Sequence, residues 1–119
     1  MISQVAIYAR VSSDQQREEK TIDSQIDALF AEAKQQGWII PEDRVFRDEG
    51  YSGAHLERPG LEALRDLAYE GELETILVFA PDRFARKYAL QTFLLEEFQR
   101  RGVQIHFVKG VKGDTPEEQ

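Results

Sequence analysis

The sequence predicts an α/β fold with a parallel sheet in the strand order 2-1-3-4 and helices on both faces. Near-continuous apolar runs at 5–9 and 76–80 are typical of parallel strands buried on both faces. Three stretches with helical spacing separate four strand-like segments, which gives the order β-α-β-α-β-α-β, and right-handed crossovers place helices on both faces. The second segment, Val45-Phe46, is short and flanked by Arg44 and Arg47, so it is expected at an edge.

The helices have recognisable ends. The first begins after Thr21 as its N-cap and ends at Gly37. Gln25 lies at the margin of its apolar stripe, where a glutamine points either under the sheet edge or into solvent. The second opens at Pro59, which suits a first helical turn, and ends before Gly71. Apolar residues at helical spacing define the predicted core faces of the three helices: Ile22, Ile26, Leu29, Phe30 and Ala33; Leu61, Leu64, Leu67 and Ala68; and Ala89, Leu90, Phe93, Leu94 and Phe98.

The composition is that of one globular domain. The chain has 119 residues and no cysteine, which excludes disulfides and thiolate metal sites. No apolar run approaches the roughly 20 residues of a membrane helix, and no leader resembles a signal peptide, so we expect a cytoplasmic protein without a membrane partner. The net charge of −7 argues by itself against a nucleic-acid binder, because such proteins usually carry a basic excess.

Polar residues follow the two central strands, where the strand order predicts a topological switch point. Arg10 and Ser12 come after the first strand, and Asp82, Arg83 and Arg86 come after the third. Because parallel strands end at the same edge, these two segments should meet. Three arginines around one crevice indicate an anion, and planar guanidinium groups suit phosphate best. A serine hydroxyl among them is a candidate nucleophile.

Other interpretations of these residues are open at this point. Ser12 could cap the following segment, and Asp82 and Arg86, four residues apart, could form a surface ion pair. Asp48 ends the second strand at the same edge and could place a charge near the site. Together with Glu49 it could also bind a divalent ion, although two adjacent acidic residues without a histidine are a poor metal signature. Arg58 could approach a phosphate from the second helix or point into solvent.

Five sequence blocks, which span most of the chain, resemble the N-terminal catalytic domain of the serine recombinases, and the fourth resembles the large integrase and transposase type. They are YARVSSDQQ at 8–16, TIDSQ at 21–25, DEGYSG at 48–53, ERPGL at 57–61 and DRFAR at 82–86. Two departures are mild: Ser13 stands where threonine is common, and Phe84 where leucine is usual. The resemblance implies a resolvase-like, flavodoxin-like three-layer sandwich, in agreement with the predicted topology.

The resemblance also implies a reaction. Ser12 would attack a DNA phosphodiester and form a 5′-phosphoserine link with a free 3′-hydroxyl. Arg10, Arg83 and Arg86 would bind the scissile phosphate and its transition state. Asp82 would orient these groups or donate a proton to the leaving oxygen. The chain would then belong to a site-specific DNA recombinase that needs no metal or other cofactor.

Supporting roles at the site are implied for Gln25, Asp48 and Arg58. Residues 114–119 have the pattern of a helix start, so we expect residues 1–119 to be a single catalytic domain cut from a longer chain. The family's C-terminal elements bind DNA and assemble dimers and tetramers, which would account for the acidic charge here.

Two alternatives use the same fold. A receiver-like signalling domain should carry acidic residues after the first strand, where this chain has Arg10 and Ser12. A non-catalytic phosphate- or nucleotide-binding module would explain the arginines, but it gives no reason for a serine among them.

Overall fold

The computed structural model describes residues 4–11, 21–52, 54 and 56–109. Four strands and four α-helices follow one another within these ranges: β1 (Val5–Val11), α1 (Ile22–Gln36), β2 (Val45–Glu49), α2 (Pro59–Tyr69), β3 (Thr75–Val78), α3 (Pro81–Phe84), α4 (Tyr88–Arg100) and β4 (Gln104–Phe107). A short 3₁₀-helix, Glu42–Arg44, precedes β2. None of these helices in the described ranges has both the length and the apolar character needed to span a bilayer. The helix start predicted at 114–119 lies outside the described residues.

The four strands form one parallel sheet in the order β2-β1-β3-β4, which confirms the predicted order. Arg10 of β1 lies opposite Asp48 of β2, and Tyr8 lies opposite Val78 of β3. β2 is an edge strand as predicted, although it is longer than Val45-Phe46 because its pairing with β1 continues beyond that pair. Separate apolar clusters lie on the two faces, one against α1 and the other against α2 and α4. The three-layer α/β architecture is therefore confirmed.

Helix α1 has the predicted ends. The Thr21 hydroxyl accepts a hydrogen bond from the Ser24 backbone N–H at 3.1 Å, and Gly37 ends the helix with a φ of 79°. Five of its side chains are buried: Ile22, Gln25, Ile26, Leu29 and Ala33. The prediction that Phe30 belongs to this face was wrong, because Phe30 lies one position off the buried line and remains 39% exposed.

Helix α4 packs on the other face along a narrower line than predicted. Leu94 and Phe98, one turn apart, are its only fully buried residues. Ala89 and Phe93 are exposed, so their assignment to the core was wrong. The Phe93 ring instead lies 5.9 Å from the guanidinium carbon of Arg65 on α2. This contact covers part of an aromatic surface that the core does not use.

The short helix α3 was not predicted from the sequence. Pro81 occupies its first turn, and Phe84 at its end is completely buried. The Phe84 ring lies 6.2 Å from that of Phe98 and 6.0 Å from that of Phe107. The buried Phe84 ring therefore anchors α3, and with it Arg83, to the core.

Candidate active site

Strand β1 extends past β3 at the carboxyl edge of the sheet, and the candidate site lies there. The last β1–β3 pair joins Tyr8 to Val78, whereas β1 continues to Val11. Helix α3 follows β3 and packs against β1 at this point. Because side chains alternate along a strand, Tyr8 and Arg10 share the face that is covered by α2 and α4. The predicted meeting of the two segments is confirmed for their described residues.

The Arg10 side chain holds helix α3 and the loop after β2 against β1. Only 1% of Arg10 is exposed. Its Nε donates to the carbonyl of Arg83 at 3.1 Å, and one Nη donates to the carbonyl of Asp82 at 2.8 Å. The other Nη donates to the carbonyl of Tyr51 in the loop after β2, at 2.9 Å. Carbonyls at the end of a helix lack intrahelical partners, so Arg10 satisfies those of α3 and fixes the position of that turn.

Gln25 of α1 completes the backbone pairing of β1. Its Oε1 accepts from the Arg10 N–H at 3.3 Å, and its Nε2 donates to the Arg10 carbonyl at 3.0 Å. In a parallel sheet a neighbouring strand would make these two bonds, but β3 has already ended at Val78. Gln25 is completely buried, so the solvent-facing alternative is wrong. Its amide holds the backbone of Arg10 in an extended conformation where the sheet no longer does.

Asp48 of β2 caps the start of α2. Its Oδ1 accepts from the Gly60 N–H at 2.7 Å, and its Oδ2 accepts from the Leu61 N–H at 3.0 Å. The Tyr8 hydroxyl donates to Oδ2 at 2.7 Å. Three donors thus compensate a carboxylate that is 1% exposed. Asp48 connects the edge strand, the central strand and the helix that begins after Arg58.

Arg58 is completely buried, so the alternative that it points into solvent is wrong. One Nη donates to the Tyr8 hydroxyl at 3.2 Å. Burial raises the pKa of Tyr8 well above its usual range, so the hydroxyl stays protonated and can donate to Asp48. Arg58, Tyr8 and Asp48 therefore form one buried hydrogen-bonded chain beside Arg10.

Four guanidinium groups act on one another at this edge. Burial lowers the pKa of Arg10 to about 10, and the positive charges of Arg58, Arg83 and Arg86 also lower it. Burial lowers the pKa of Arg83 as well, and Arg86 adds to that effect. Arg10 is still protonated at neutral pH, but its charge is crowded and poorly solvated. An anion bound at this cluster would offset the repulsion between these cations, so the electrostatics favour an anionic group such as a phosphate.

The remaining predicted residues differ in exposure. Arg83 is 8% exposed, whereas Asp82 and Arg86 are exposed. Among the described residues no ion pair joins Asp82 to Arg86, which argues against the surface-pair interpretation. Within the same residues no group of three or more acidic or histidine side chains could hold a metal ion.

The predicted nucleophile, Ser12, lies outside the described residues. It follows Val11, the last residue of β1, whose carbonyl accepts from the Gly50 N–H at 2.9 Å. Sequence reasoning missed two contributors to the site: the Tyr8 hydroxyl and the Tyr51 carbonyl. A tyrosine in an otherwise aliphatic buried strand was the available signal for Tyr8, since its hydroxyl needs a buried partner. A backbone carbonyl leaves no such signal.

Comparison with known proteins supports a single family. Residues 5–119 match the family described as the resolvase N-terminal domain. The chain is 39% identical to the transposon Tn3 resolvase of Escherichia coli over 101 residues, which is 85% of this chain and 48% of the resolvase. The chain spans about half the length, or less, of the first curated relatives that it matches.

Two solved structures have the same architecture. The N-terminal catalytic domain of TP901-1 integrase superposes with a TM-score of 0.78 at 32% identity, over 87% of this chain and 75% of that one. The C-terminal catalytic domain of ISC1926 TnpA, an IS607-like serine recombinase, superposes with a TM-score of 0.76 at 31% identity, over 96% of this chain and 76% of that one.

Proposed function

We propose that this chain, which belongs to the resolvase N-terminal domain family, is the catalytic domain of a site-specific serine recombinase. It cleaves and rejoins DNA strands through a covalent link to Ser12. The observation that carries the proposal is the guanidinium cluster at the end of β1, where the Arg10 side chain, two residues before Ser12 in the chain, bonds to the carbonyls of Asp82 and Arg83. The findings do not favour a receiver-like domain or a non-catalytic phosphate-binding module.

The proposed reaction exchanges one phosphodiester for another. The Ser12 Oγ releases its proton to solvent water and forms a bond to phosphorus, while the bond from phosphorus to the 3′-oxygen breaks. That oxygen leaves as a 3′-hydroxyl after it takes up a proton, for which Asp82 is the proposed donor. Rejoining reverses these steps with a 3′-hydroxyl from another strand. The phosphodiester energy is retained in the covalent intermediate, so no nucleotide cofactor is required.

Arg83 and Arg86 are the proposed phosphate ligands. Preorganised cations stabilise the charge that develops on the phosphoryl oxygens, which is the contribution that metal ions make in other phosphoryl-transfer sites. Arg10 is proposed to contribute its charge and to hold the turn that carries Arg83, because three of its donors already bind carbonyls. We therefore expect chelators to leave the reaction unchanged.

Gln25, Asp48 and Arg58 are proposed as positioning residues. Gln25 fixes the Arg10 backbone, and Asp48 with Arg58 fixes Tyr8 and the start of α2. None of them needs to contact DNA for this role. Substituting Gln25 should therefore impair catalysis through a displaced Arg10, with DNA affinity unchanged.

The proposal extends to a longer protein. Residues 1–119 are proposed to be its single catalytic domain, with a helix that starts at 114–119. Elements beyond it are proposed to supply DNA affinity and to assemble dimers and tetramers in the cytoplasm. With a charge of −7, the isolated chain should be a monomer or weak dimer with little affinity for DNA at physiological salt. Sedimentation of a tight dimer would contradict this part of the proposal.

The experiment that tests the function compares two neighbouring serines in the longer protein. Ser12→Ala should abolish DNA cleavage while leaving the fold and DNA binding intact. Ser13→Ala removes the same atom one residue away and should retain cleavage. Loss of cleavage in Ser13→Ala with activity kept in Ser12→Ala would overturn the assignment.

A further inference from the structure

The cations at the catalytic edge differ in their access to solvent. Arg10 and Arg58 are buried, and Arg83 is 8% exposed. Arg86 is exposed, and so are the next two residues, Lys87 and Tyr88, at the start of α4. These three exposed residues come shortly after Arg83 along the chain, so a DNA backbone bound at Arg86 would have Lys87 and Tyr88 beside it. The segment 86–88 is therefore the outer rim of the candidate site.

Tyr88 has an exposure that the fold does not explain. It is 81% exposed, the largest value for any large apolar side chain among the described residues. The core line of α4 runs through Leu94 and Phe98, so the Tyr88 ring does not contribute to packing. An exposed aromatic ring beside cations is a common arrangement for nucleic-acid contact, because the ring packs against bases and sugars while the cations bind phosphates.

Because the chain is acidic overall, its exposed cations indicate where DNA could contact it. A chain with a net charge of −7 repels DNA over most of its surface, so contact depends on local positive groups. No acidic residue lies in the first turn of α4 to offset Lys87. Other exposed residues of similar chemistry lie at the opposite edge: Lys34 in the last turn of α1 and Tyr69 at the end of α2.

We propose that Lys87 and Tyr88 form a DNA-contacting rim next to the reaction centre. Lys87 binds a backbone phosphate adjacent to the scissile one, and the Tyr88 ring packs against the neighbouring sugar and base. This inference rests on the proposed function, since it takes DNA as the substrate. It adds a contact that contributes to affinity and to placement of the strand, without a role in the chemical step.

The test measures binding of a short DNA duplex to this chain as ionic strength is raised from low values towards about 0.15 M. Amide NMR shifts map the contact, and fluorescence anisotropy gives the Kd. The Lys87 and Tyr88 amides should shift in the wild type. Lys87→Gln should make the negative slope of log K against log salt shallower by about 1, because one phosphate contact is lost. Tyr88→Ala should weaken binding about fivefold with the slope unchanged, and Tyr88→Phe should bind like the wild type.

Matched controls separate this contact from a general effect of charge or surface. Lys34→Gln and Tyr69→Ala make the same chemical changes at the opposite edge and should bind like the wild type. The proposal would be overturned if Lys87→Gln and Tyr88→Ala had the same Kd and the same salt slope as the wild type. It would also be overturned if the wild type did not bind the duplex even at low salt. A control variant that weakens binding as much as its counterpart would overturn it as well.

Failure of this inference can be distinguished from failure of the proposed function. In the longer protein at saturating DNA, Lys87→Gln and Tyr88→Ala should still form the covalent link at Ser12. A wild type that forms no link counts against the function, whatever these variants bind. If the wild type forms the link and the two rim variants bind DNA as tightly as the wild type, only the proposed rim is rejected.

Discussion

Gly60→Ala should destabilise the domain, although a glycine-to-alanine change in a helix usually stabilises it by about 0.5–1 kcal/mol. A Cβ at Gly60 would lie 3.0 Å from both carboxylate oxygens of Asp48, which is tight enough that the carboxylate would have to shift by a few tenths of an ångström. The carboxylate cannot move away cheaply, because hydrogen bonds from Tyr8, Gly60 and Leu61 hold it. The close approach of Asp48 to the first turn of α2 therefore favours glycine at this position.

The expected cost follows from overpacking at a buried site, which typically destabilises by about 1–3 kcal/mol. Subtracting the middle of the range for the helical gain from the middle of this range leaves about 1.3 kcal/mol of net destabilisation. Unfolding entropy of about 2.1 cal/mol/K per residue makes 1 kcal/mol equivalent to about 4 °C in a chain of 119 residues. Thermal unfolding followed by circular dichroism should show a Tm lowered by about 5 °C.

A double-mutant cycle identifies the cause. In an Asp48→Ala background the clashing oxygens are absent, so adding Gly60→Ala should leave the Tm unchanged or raise it. If Asp48→Ala does not fold, Asp48→Ser keeps a shorter capping group and serves the same purpose. A Gly60→Ala protein that is as stable as the wild type, or an equal loss in both backgrounds, would refute the reasoning.

Three further changes have expected outcomes. Tyr8→Phe removes a buried hydroxyl that bonds two charged groups, so urea unfolding should show a free energy of unfolding lower by about 1–3 kcal/mol. An unchanged free energy of unfolding would contradict the buried hydrogen-bonded chain of Arg58, Tyr8 and Asp48. The hydrogen bond from His106 at 2.8 Å lowers the pKa of Glu32, and a carboxylate with a depressed folded pKa stabilises the fold above its unfolded pKa. That stability should be lost as the pH falls below about 4.5, so Glu32→Gln should lower the Tm at neutral pH and have less effect in acid; an equal effect at both would exclude the linkage. Arg83→Gln should reduce the single-turnover cleavage rate of the longer protein about 10²–10³-fold, and a loss of less than tenfold would count against a transition-state contact.

The strand order and the edge that holds the site could be predicted from the sequence, because they depend on patterns that the chain displays directly. Continuous apolar runs identified β1 and β3 as central strands, and charged flanks identified β2 as an edge strand. The parallel topology then brought the segments after β1 and β3 together. Capping residues such as Thr21 and Gly37 fixed the ends of α1 for the same local reasons.

The inner arrangement of the site could not be predicted, because it depends on which of several partners a polar side chain meets after packing. The sequence does not distinguish a Gln25 or Arg58 side chain that faces solvent from one that faces the interior. In the structure both are completely buried. Three donors of Arg10 bind backbone carbonyls, and no sequence pattern reveals those contacts. Phe30 and Phe93 show the converse error, since apolar character at helical spacing did not guarantee burial.

The most direct test of the central claim is to trap the protein–DNA intermediate and locate the bond. The longer protein would be incubated with a nicked substrate from which the cleaved end diffuses away, and the linked peptide would be mapped by mass spectrometry. The proposed function predicts a phosphodiester bond between the 5′ end of DNA and Ser12, formed equally well in the presence of a chelator. A bond on any other residue, or a link that forms only with magnesium, would contradict it.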